Sequence, residues 1–177
     1  MALDDASIDT AVDRYRREMD RHSKLVELVA SACRELIADN AIPATVQFRV
    51  KDPERLRGKL RKYREGYDTV DEVFGQLKDL AGVRIATYVE IDRERVASEV
   101  VKRFEAPGGG EVAAVVKDSD ESFYRATHCQ VRLLDEDLGP GYENLRGTVA
   151  RSRYAACLPM CGTSSSTISP TSRSRVS

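Results

Sequence analysis

The chain alternates between helix-like and strand-like spacing of its apolar positions. In the first forty residues, apolar side chains recur every three or four positions with charged residues between them, which predicts one long amphipathic helix. Farther on, runs such as GVRIATYV and CQVRLL are rich in β-branched residues or alternate with polar ones, which predicts strands. The predicted elements are helix 8–39, strand 45–50, helix 53–64, helix 69–78, strand 82–89, helix 92–104, strand 111–116 and strand 124–134.

This order of elements predicts an α/β or α+β fold in which helices pack on a mixed sheet. The length of 177 residues suits one domain of ordinary size. We expect an N-terminal helical region over 1–43 and a main domain over 44–147. Residues 148–177 are dense in Ser, Thr and Arg without a sustained period, which predicts an unstructured tail.

Charge and hydropathy restrict the classes of function. The net charge is −1, and the tail contains arginines but no acids, so the main domain is acidic and broad nonspecific nucleic-acid binding is not expected. No apolar run approaches the ~20 residues of a membrane span, and the first residues lack the pattern of a signal peptide. We therefore expect a cytoplasmic protein without a membrane partner.

A group of cations follows the first predicted strand. Arg49 and Lys51 stand at the end of this strand, and Arg55 and Lys59 are spaced by one helical turn on the next helix. Arginine forks bind phosphate oxygens bidentately and lysine acts as a point charge, so this group could hold a polyphosphate. The alternative is a solvated basic helix face.

A carboxylate and an arginine accompany the next strand. Asp79 precedes it, and a carboxylate at a strand edge near phosphates is a reasonable ligand for Mg²⁺. The alternative is an ordinary turn residue, because Asp is common in turns. Arg84 lies inside the strand, where a charge needs a partner or a ligand.

Two further candidates open the last predicted strand. Tyr124 could stack on a nucleobase, and His128 lies four residues later, on the same face of a strand. The alternative is that both are half-buried strand residues without a ligand.

In this order and spacing, the three groups resemble the synthetase domain of the RelA/SpoT family. The family pattern is R-x-K, a spaced Lys, D-L-x-x-x-R-I and G-Y-x-S-x-H, and this chain has FRVK with Lys59, DLAGVRI and FYRATH over roughly 46–134. Three positions depart from the pattern: Phe123 replaces Gly, Ala126 replaces Ser, and Arg55 replaces a frequent Ser.

The resemblance implies a nucleotidyltransferase-like mixed sheet and an Mg²⁺-dependent GTP pyrophosphokinase of the stringent response. Such an enzyme transfers pyrophosphate from ATP to the 3′-hydroxyl of GDP or GTP. The resemblance also assigns roles to individual residues. Arg49 would contact the adenine, and the rest of the ATP site would consist of Lys51, Arg55, Lys59 and Arg84. Asp79 would bind the metal, and the guanine-nucleotide site would contain Lys117, Tyr124 and His128.

The family's last motif, a strand close to E-I-Q-V-R, supplies the Glu that acts as general base, and this Glu is absent from the chain. If the first two bases of the Val149 codon are discarded, the new reading frame permits R-E-I-Q-V. The residues that it permits next include the His and Trp of the helix that follows this strand in the family. We therefore predict that the reading frame is shifted here and that the chain is inactive and poorly stable. The alternative is a natural disordered tail.

Two other functions stay open. Toxin-like members of the same family pyrophosphorylate the 3′ end of tRNA, and a basic surface beside the acceptor site would favour that reading. The chain could also be a non-catalytic nucleotide-binding regulatory module whose N-terminal helix binds a partner. The oligomeric state is not predicted.

Overall fold

The computed structural model describes residues 2–77, 79–119 and 124–156, with the backbone alone for 117–119, 124–125 and 152–156. The helices are α1 (Asp5–Asp39), α2 (Pro53–Lys62), α3 (Val70–Gln76) and α4 (Glu90–Arg103). The strands are β1 (Ala44–Val50), β2 (Ala81–Thr87), β3 (Val115–Ser119), β4 (Tyr124–Val131) and β5 (Ala150–Ala156). Three short 3₁₀ turns occupy Arg64–Gly66, Asp135–Asp137 and Glu143–Leu145.

Helix α1 joins two hydrophobic clusters. Its first half packs on α2 and α3, and its second half packs on the sheet and α4. The Asp4 side chain caps the helix by accepting a hydrogen bond from the Ser7 backbone N–H at 2.7 Å. Among the described residues, no helix is long and apolar enough to cross a membrane.

The five strands form one mixed sheet in the order β1-β2-β5-β4-β3. Only the β2–β5 pair is parallel, and the other three pairs are antiparallel. Four helices accompany the sheet, so the predicted α+β fold with a long N-terminal helix is confirmed.

The two faces of the sheet differ in character. Along β2, Val83 and Ile85 are buried against the side that α1 and α4 cover, whereas Gly82 and Arg84 point to the opposite face. We call this opposite face the polar face. It carries the side chains of the candidate site.

Strand β3 differs from its prediction. The apolar run at 111–116 predicts a strand, but the structure begins β3 at Val115 and continues it into the predicted loop. Val115 and Val116 are about half exposed because β3 is an edge strand. Its position is set by backbone pairing with β4, where Ser119 lies opposite Tyr124, and side-chain patterning does not report that pairing.

The prediction of an unstructured segment from residue 148 onward is wrong for Ala150–Ala156, which forms β5. This strand lies between β2 and β4, and Ala150 is fully buried in the core. Without β5, the backbone groups of both neighbours would lose their partners, so pairing outweighs the polar composition. Residues 157–177, which complete the predicted tail, lie outside the described residues.

Candidate active site

One carboxylate and two lysines form the centre of the site. Asp79 lies between α3 and β2 and accepts hydrogen bonds from Lys51 Nζ at 2.8 Å and Lys59 Nζ at 3.0 Å. Burial acts to raise the pKa of Asp79, but the hydrogen bonds and charges of the two lysines outweigh it and lower the pKa from its ordinary value. Asp79 is therefore ionised at neutral pH and already neutralised by cations.

A buried tyrosine fixes the backbone around this centre. The Lys51 N–H donates to the Leu80 carbonyl at 2.9 Å, which joins the end of β1 to the start of β2. The Tyr15 hydroxyl donates to the Lys51 carbonyl at 2.6 Å and also lies 3.2 Å from the Leu80 carbonyl. Tyr15 is fully buried, and burial raises its pKa to about 12. Helical spacing indicated only a core position for Tyr15 and not this link to the site.

Helix α2 supplies Lys59. The Asp52 side chain caps the helix by accepting from the Glu54 and Arg55 backbone N–H groups, both at 3.0 Å. Leu56 and Leu60 are fully buried, which fixes the rotation of α2 and turns Lys59 toward Asp79.

The other basic residues of α2 point elsewhere. Arg57 donates to Asp9 on α1 at 2.5 Å, so it joins the two helices. Arg55 is exposed and lines neither of the two described cavities near Asp79. Its expected contact with ATP phosphates stays a prediction.

The first cavity lies on the polar face of β1, β2 and β5 and has a volume of about 340 Å³. Strand register sets its floor, because Arg49 lies opposite Gly82 and Gln47 lies opposite Arg84. Its lining residues are Gln47, Phe48, Arg49, Asp79, Ala81, Gly82, Val83, Arg84, His128 and Arg151. Two residues predicted for the ATP site, Arg49 and Arg84, are thus brought together beside Asp79.

The second cavity, of about 480 Å³, is also lined by this carboxylate. It is lined by Lys59, Gln76, Asp79, Ala106, Pro107, Ala113, Val115, His128, Cys129, Gln130 and Arg151. The two cavities share Asp79, His128 and Arg151. We call these three residues the junction. Two compartments that meet at one charged centre can hold two ligands with their reacting ends together.

Within the junction, Arg151 Nη2 lies 2.8 Å from His128 Nδ1. Arg151 belongs to β5 and His128 to β4, and these strands are direct neighbours. His128 was predicted to belong to the site, whereas Arg151 was assigned to the tail.

Some of the remaining predicted residues have side chains outside the part of the chain that the structure describes. Lys117 and Tyr124 belong to β3 and β4 by backbone, and their side chains lie outside the described part, as does Phe123 entirely. Gln47 and Gln130 line the cavities and were not predicted. Alternation with Arg49 and His128 is the signal that could have identified them.

The donor set limits what metal the site can hold. Within the described residues, no group of three or more acidic, histidine or cysteine side chains is arranged so that it could hold a metal ion. A lone carboxylate such as Asp79 fits Mg²⁺, which takes one or two carboxylates and completes its octahedron with phosphate oxygens and water. It does not fit a metal that needs a full set of protein ligands.

A general base is not apparent in the part of the chain that is described. Neither set of lining residues includes a Glu. Asp79 is held by two lysines, and Nδ1 of His128 is occupied by Arg151.

Comparisons with known proteins support the fold and not the activity. No protein family model matches the chain, and no curated protein matches it. Among solved structures, the fold is similar to that of the small alarmone synthetase 1 from Bacillus subtilis, with a TM-score of 0.56 and 18% sequence identity. The match covers 81% of this chain and 70% of the synthetase chain. The chain therefore has a fold similar to that of an alarmone synthetase.

Proposed function

We propose that the chain is a GTP pyrophosphokinase-like protein that binds ATP and a guanine nucleotide but transfers pyrophosphate poorly. The observation that carries the proposal is the pair of cavities that meet at Asp79, with Lys51 and Lys59 bonded to its two oxygens. The synthetase-like fold and the motifs FRVK, DLAGVRI and FYRATH agree with this geometry.

The first cavity suits the donor nucleotide. Arg49, Arg84 and Asp79 line it. Lys51 and Lys59 bond to this Asp79, and Lys59 reaches it from the lining of the second cavity. In this proposal, Arg49 contacts the adenine and the lysines bind the phosphate chain, while Arg84 completes the ATP site. Lysines that now bond to Asp79 can turn to phosphate oxygens when a cation takes their place on the carboxylate.

Mg²⁺ would bind through Asp79 and the nucleotide phosphates. When bound, such an ion neutralises charge on the phosphates during transfer. The residues of this chain contribute alignment, because the carboxylate lines both cavities and is held by Lys51 and Lys59.

The second cavity suits the acceptor nucleotide. His128 and Gln130 give it polar groups, and most of its other lining residues are neutral. In this proposal, His128 supports GDP or GTP, with Tyr124 stacked on the guanine and Lys117 near its phosphates. The predominantly neutral lining favours a single nucleotide over tRNA, whose backbone needs a basic surface.

The missing step is removal of the proton from the attacking 3′-hydroxyl. The family motif places a Glu on its last strand, and this chain has β5 there with the sequence ARSRYAA. A reading frame shifted inside the codon of Val149 permits that Glu. The absence of this Glu from β5 supports the proposal that the present chain binds nucleotides but transfers pyrophosphate poorly.

Titration calorimetry tests the proposal on the full chain. We expect ATP and GDP each to bind with a stoichiometry of one, and ATP not to displace GDP. A single site for which the two nucleotides compete would contradict the assignment of two cavities. If neither nucleotide binds, the proposed function fails.

A non-catalytic regulatory module is the second candidate, and the absence of a Glu from the described lining favours it. It shares the nucleotide-binding step with the first proposal. An assay of pyrophosphate transfer on a chain with the shifted reading frame separates the two, because only the first proposal predicts product there.

A further inference from the structure

We propose that Arg151 and His128 form an anion subsite that holds a phosphate group where the two cavities meet. Neither the sequence motifs nor the fold comparison assigns a role to Arg151. The identity of the phosphate as part of a nucleotide rests on the proposed function, whereas the subsite itself rests on the geometry of β4 and β5.

The position of Arg151 follows from strand alternation and register. Ala150 is fully buried in the core, so the next residue, Arg151, points to the polar face. In the sheet it lies opposite Gly82 on β2 and Gln130 on β4. Arg49 lies on the other side of Gly82 in the same row.

Gly82 separates two arginines in this row. Glycine has no side chain, and a Cβ at this position would lie 3.4 Å from the Arg151 carbonyl oxygen. Arg49 and Arg151 both line the first cavity, and guanidinium groups bind phosphate oxygens well.

The contact between Arg151 and His128 fixes the role of the histidine ring. A guanidinium donates hydrogen bonds and accepts none, so Nδ1 of His128 must be the acceptor at 2.8 Å. The neutral ring then has its proton on Nε2. Both residues line both cavities, and both carry N–H groups, which are the donors that a phosphate accepts from.

The charge balance at the junction also favours an anion. Asp79 is the only carboxylate in either described lining, and Lys51 and Lys59 already bond to it. The one partner described for the Arg151 side chain is a neutral histidine. Arginine in such a setting retains a charge that a phosphate would neutralise.

The test uses the full chain, inorganic pyrophosphate as probe, and the substitution Arg151→Gln. Arg146→Gln is the matched control, because Arg146 is exposed, pairs with Asp135 at 3.1 Å and lines neither cavity. We expect calorimetry to show pyrophosphate binding about tenfold weaker for Arg151→Gln, the effect of losing one charge-assisted hydrogen bond, and unchanged for the control. Equal affinities in the two variants would overturn the proposal.

A second measurement needs no variant and covers the case in which Arg151→Gln does not fold. The chain has two histidines, and the other one, His22, lies on α1 and is buried. We expect ¹⁵N spectra of the imidazole rings to show His128 protonated on Nε2, with its signals moving on addition of pyrophosphate while those of His22 stay in place. Unchanged His128 signals at saturating pyrophosphate would overturn the proposal.

The two proposals fail differently. If ATP binds the wild-type chain but pyrophosphate binds the wild-type chain and Arg151→Gln equally well, the subsite is wrong and the proposed nucleotide binding stands. If pyrophosphate binding depends on Arg151 but ATP does not bind, the subsite stands and the proposed function is wrong.

Discussion

Substituting Asp79 by Asn is expected to change stability and ligand binding in opposite directions. The carboxylate accepts from Lys51 at 2.8 Å and Lys59 at 3.0 Å, and the three side chains are only 15–32% exposed. Asn has nearly the same shape, but it has no charge and its amide group would face one of the two ammonium groups.

The stability loss can be estimated from these contacts. Hydrogen bonds to charged groups contribute roughly 1.5–3 kcal/mol each, and partial exposure and the remaining Asn oxygen reduce the loss, so we expect about 2 kcal/mol in total. For a chain of this size, that corresponds to a fall in Tm of about 4–8 °C.

The affinity for metal-free ATP should rise in the same variant. A carboxylate about 6 Å from a phosphate charge repels it by about 1.4 kcal/mol at an effective dielectric constant of ~40. Removing that charge releases both lysines for phosphate, and we expect roughly tenfold tighter binding of ATP in EDTA. Mg²⁺ should strengthen ATP binding by the wild-type chain and have little effect on the variant.

Thermal unfolding and calorimetry with and without Mg²⁺ measure these effects. Asp135→Asn is the control, because it removes one exposed pair with Arg146 away from both cavities and should leave ATP binding unchanged. If Asp79→Asn weakens metal-free ATP binding, or if Mg²⁺ still strengthens binding by the variant, the role given to Asp79 is refuted.

The pH dependence of this stability difference has a definite sign. The pKa of Asp79 is lowered in the folded chain from 3.8. Wild type should therefore keep its advantage over Asp79→Asn above about pH 4 and lose it as the pH falls through the lower folded pKa. Urea unfolding between pH 3 and pH 7 checks this, and an advantage that disappears well above pH 4 would contradict it.

Four further substitutions test the surroundings of the site, with Arg57→Gln as the control for Lys59→Gln. Tyr15→Phe removes the hydroxyl that joins β1 to β2 and should lower the free energy of unfolding by about 1–2 kcal/mol at neutral pH. Burial raises the pKa of Tyr15 in the folded chain to about 12, against an ordinary 10. The stability difference between wild type and variant, measured by urea unfolding, should therefore shrink above pH 10. His22 is buried with no described partner for either ring nitrogen, and burial lowers its pKa, so His22→Leu should raise stability by about 1 kcal/mol and reduce the loss of stability below pH 6.5; a less stable variant would contradict this. Lys59→Gln should weaken ATP binding about fivefold, whereas Arg57→Gln should lower only the Tm, because Lys59 bonds to the site and Arg57 bonds to Asp9 on α1; equal effects on ATP binding would refute the distinction.

Local patterns predicted much of the fold. The three- and four-residue spacing along α1 corresponds to the buried positions that pack on α2 and the sheet, and the run around Ile85 forms the buried strand β2. These elements can be predicted because burial of one face imposes a regular spacing on their apolar side chains. The bounds of β3 could not be read in this way, since an edge strand has little burial to impose a pattern.

Only part of the site could be predicted from the sequence, for the same reason. Lys51 and Asp79 stood out as charges at strand ends and Lys59 as a cation on the helix between them, and the structure brings the three into contact. Tyr15 contacts the site from α1, and Arg151 reaches it through strand register. Both contacts join residues far apart in the sequence, and no local pattern predicts such contacts. The most consequential error concerned β5, where polar composition concealed a central strand that backbone pairing requires.

Transfer of labelled pyrophosphate from ATP to GDP tests the central claim most directly. The assay compares the present chain with a chain whose reading frame is shifted inside the codon of Val149, and ATP binding is measured for both. We expect both chains to bind ATP, only the frame-shifted chain to form product, and Asp79→Ala in that chain to abolish turnover. Equal product from the two chains, or none from a frame-shifted chain that binds both nucleotides, would contradict the account.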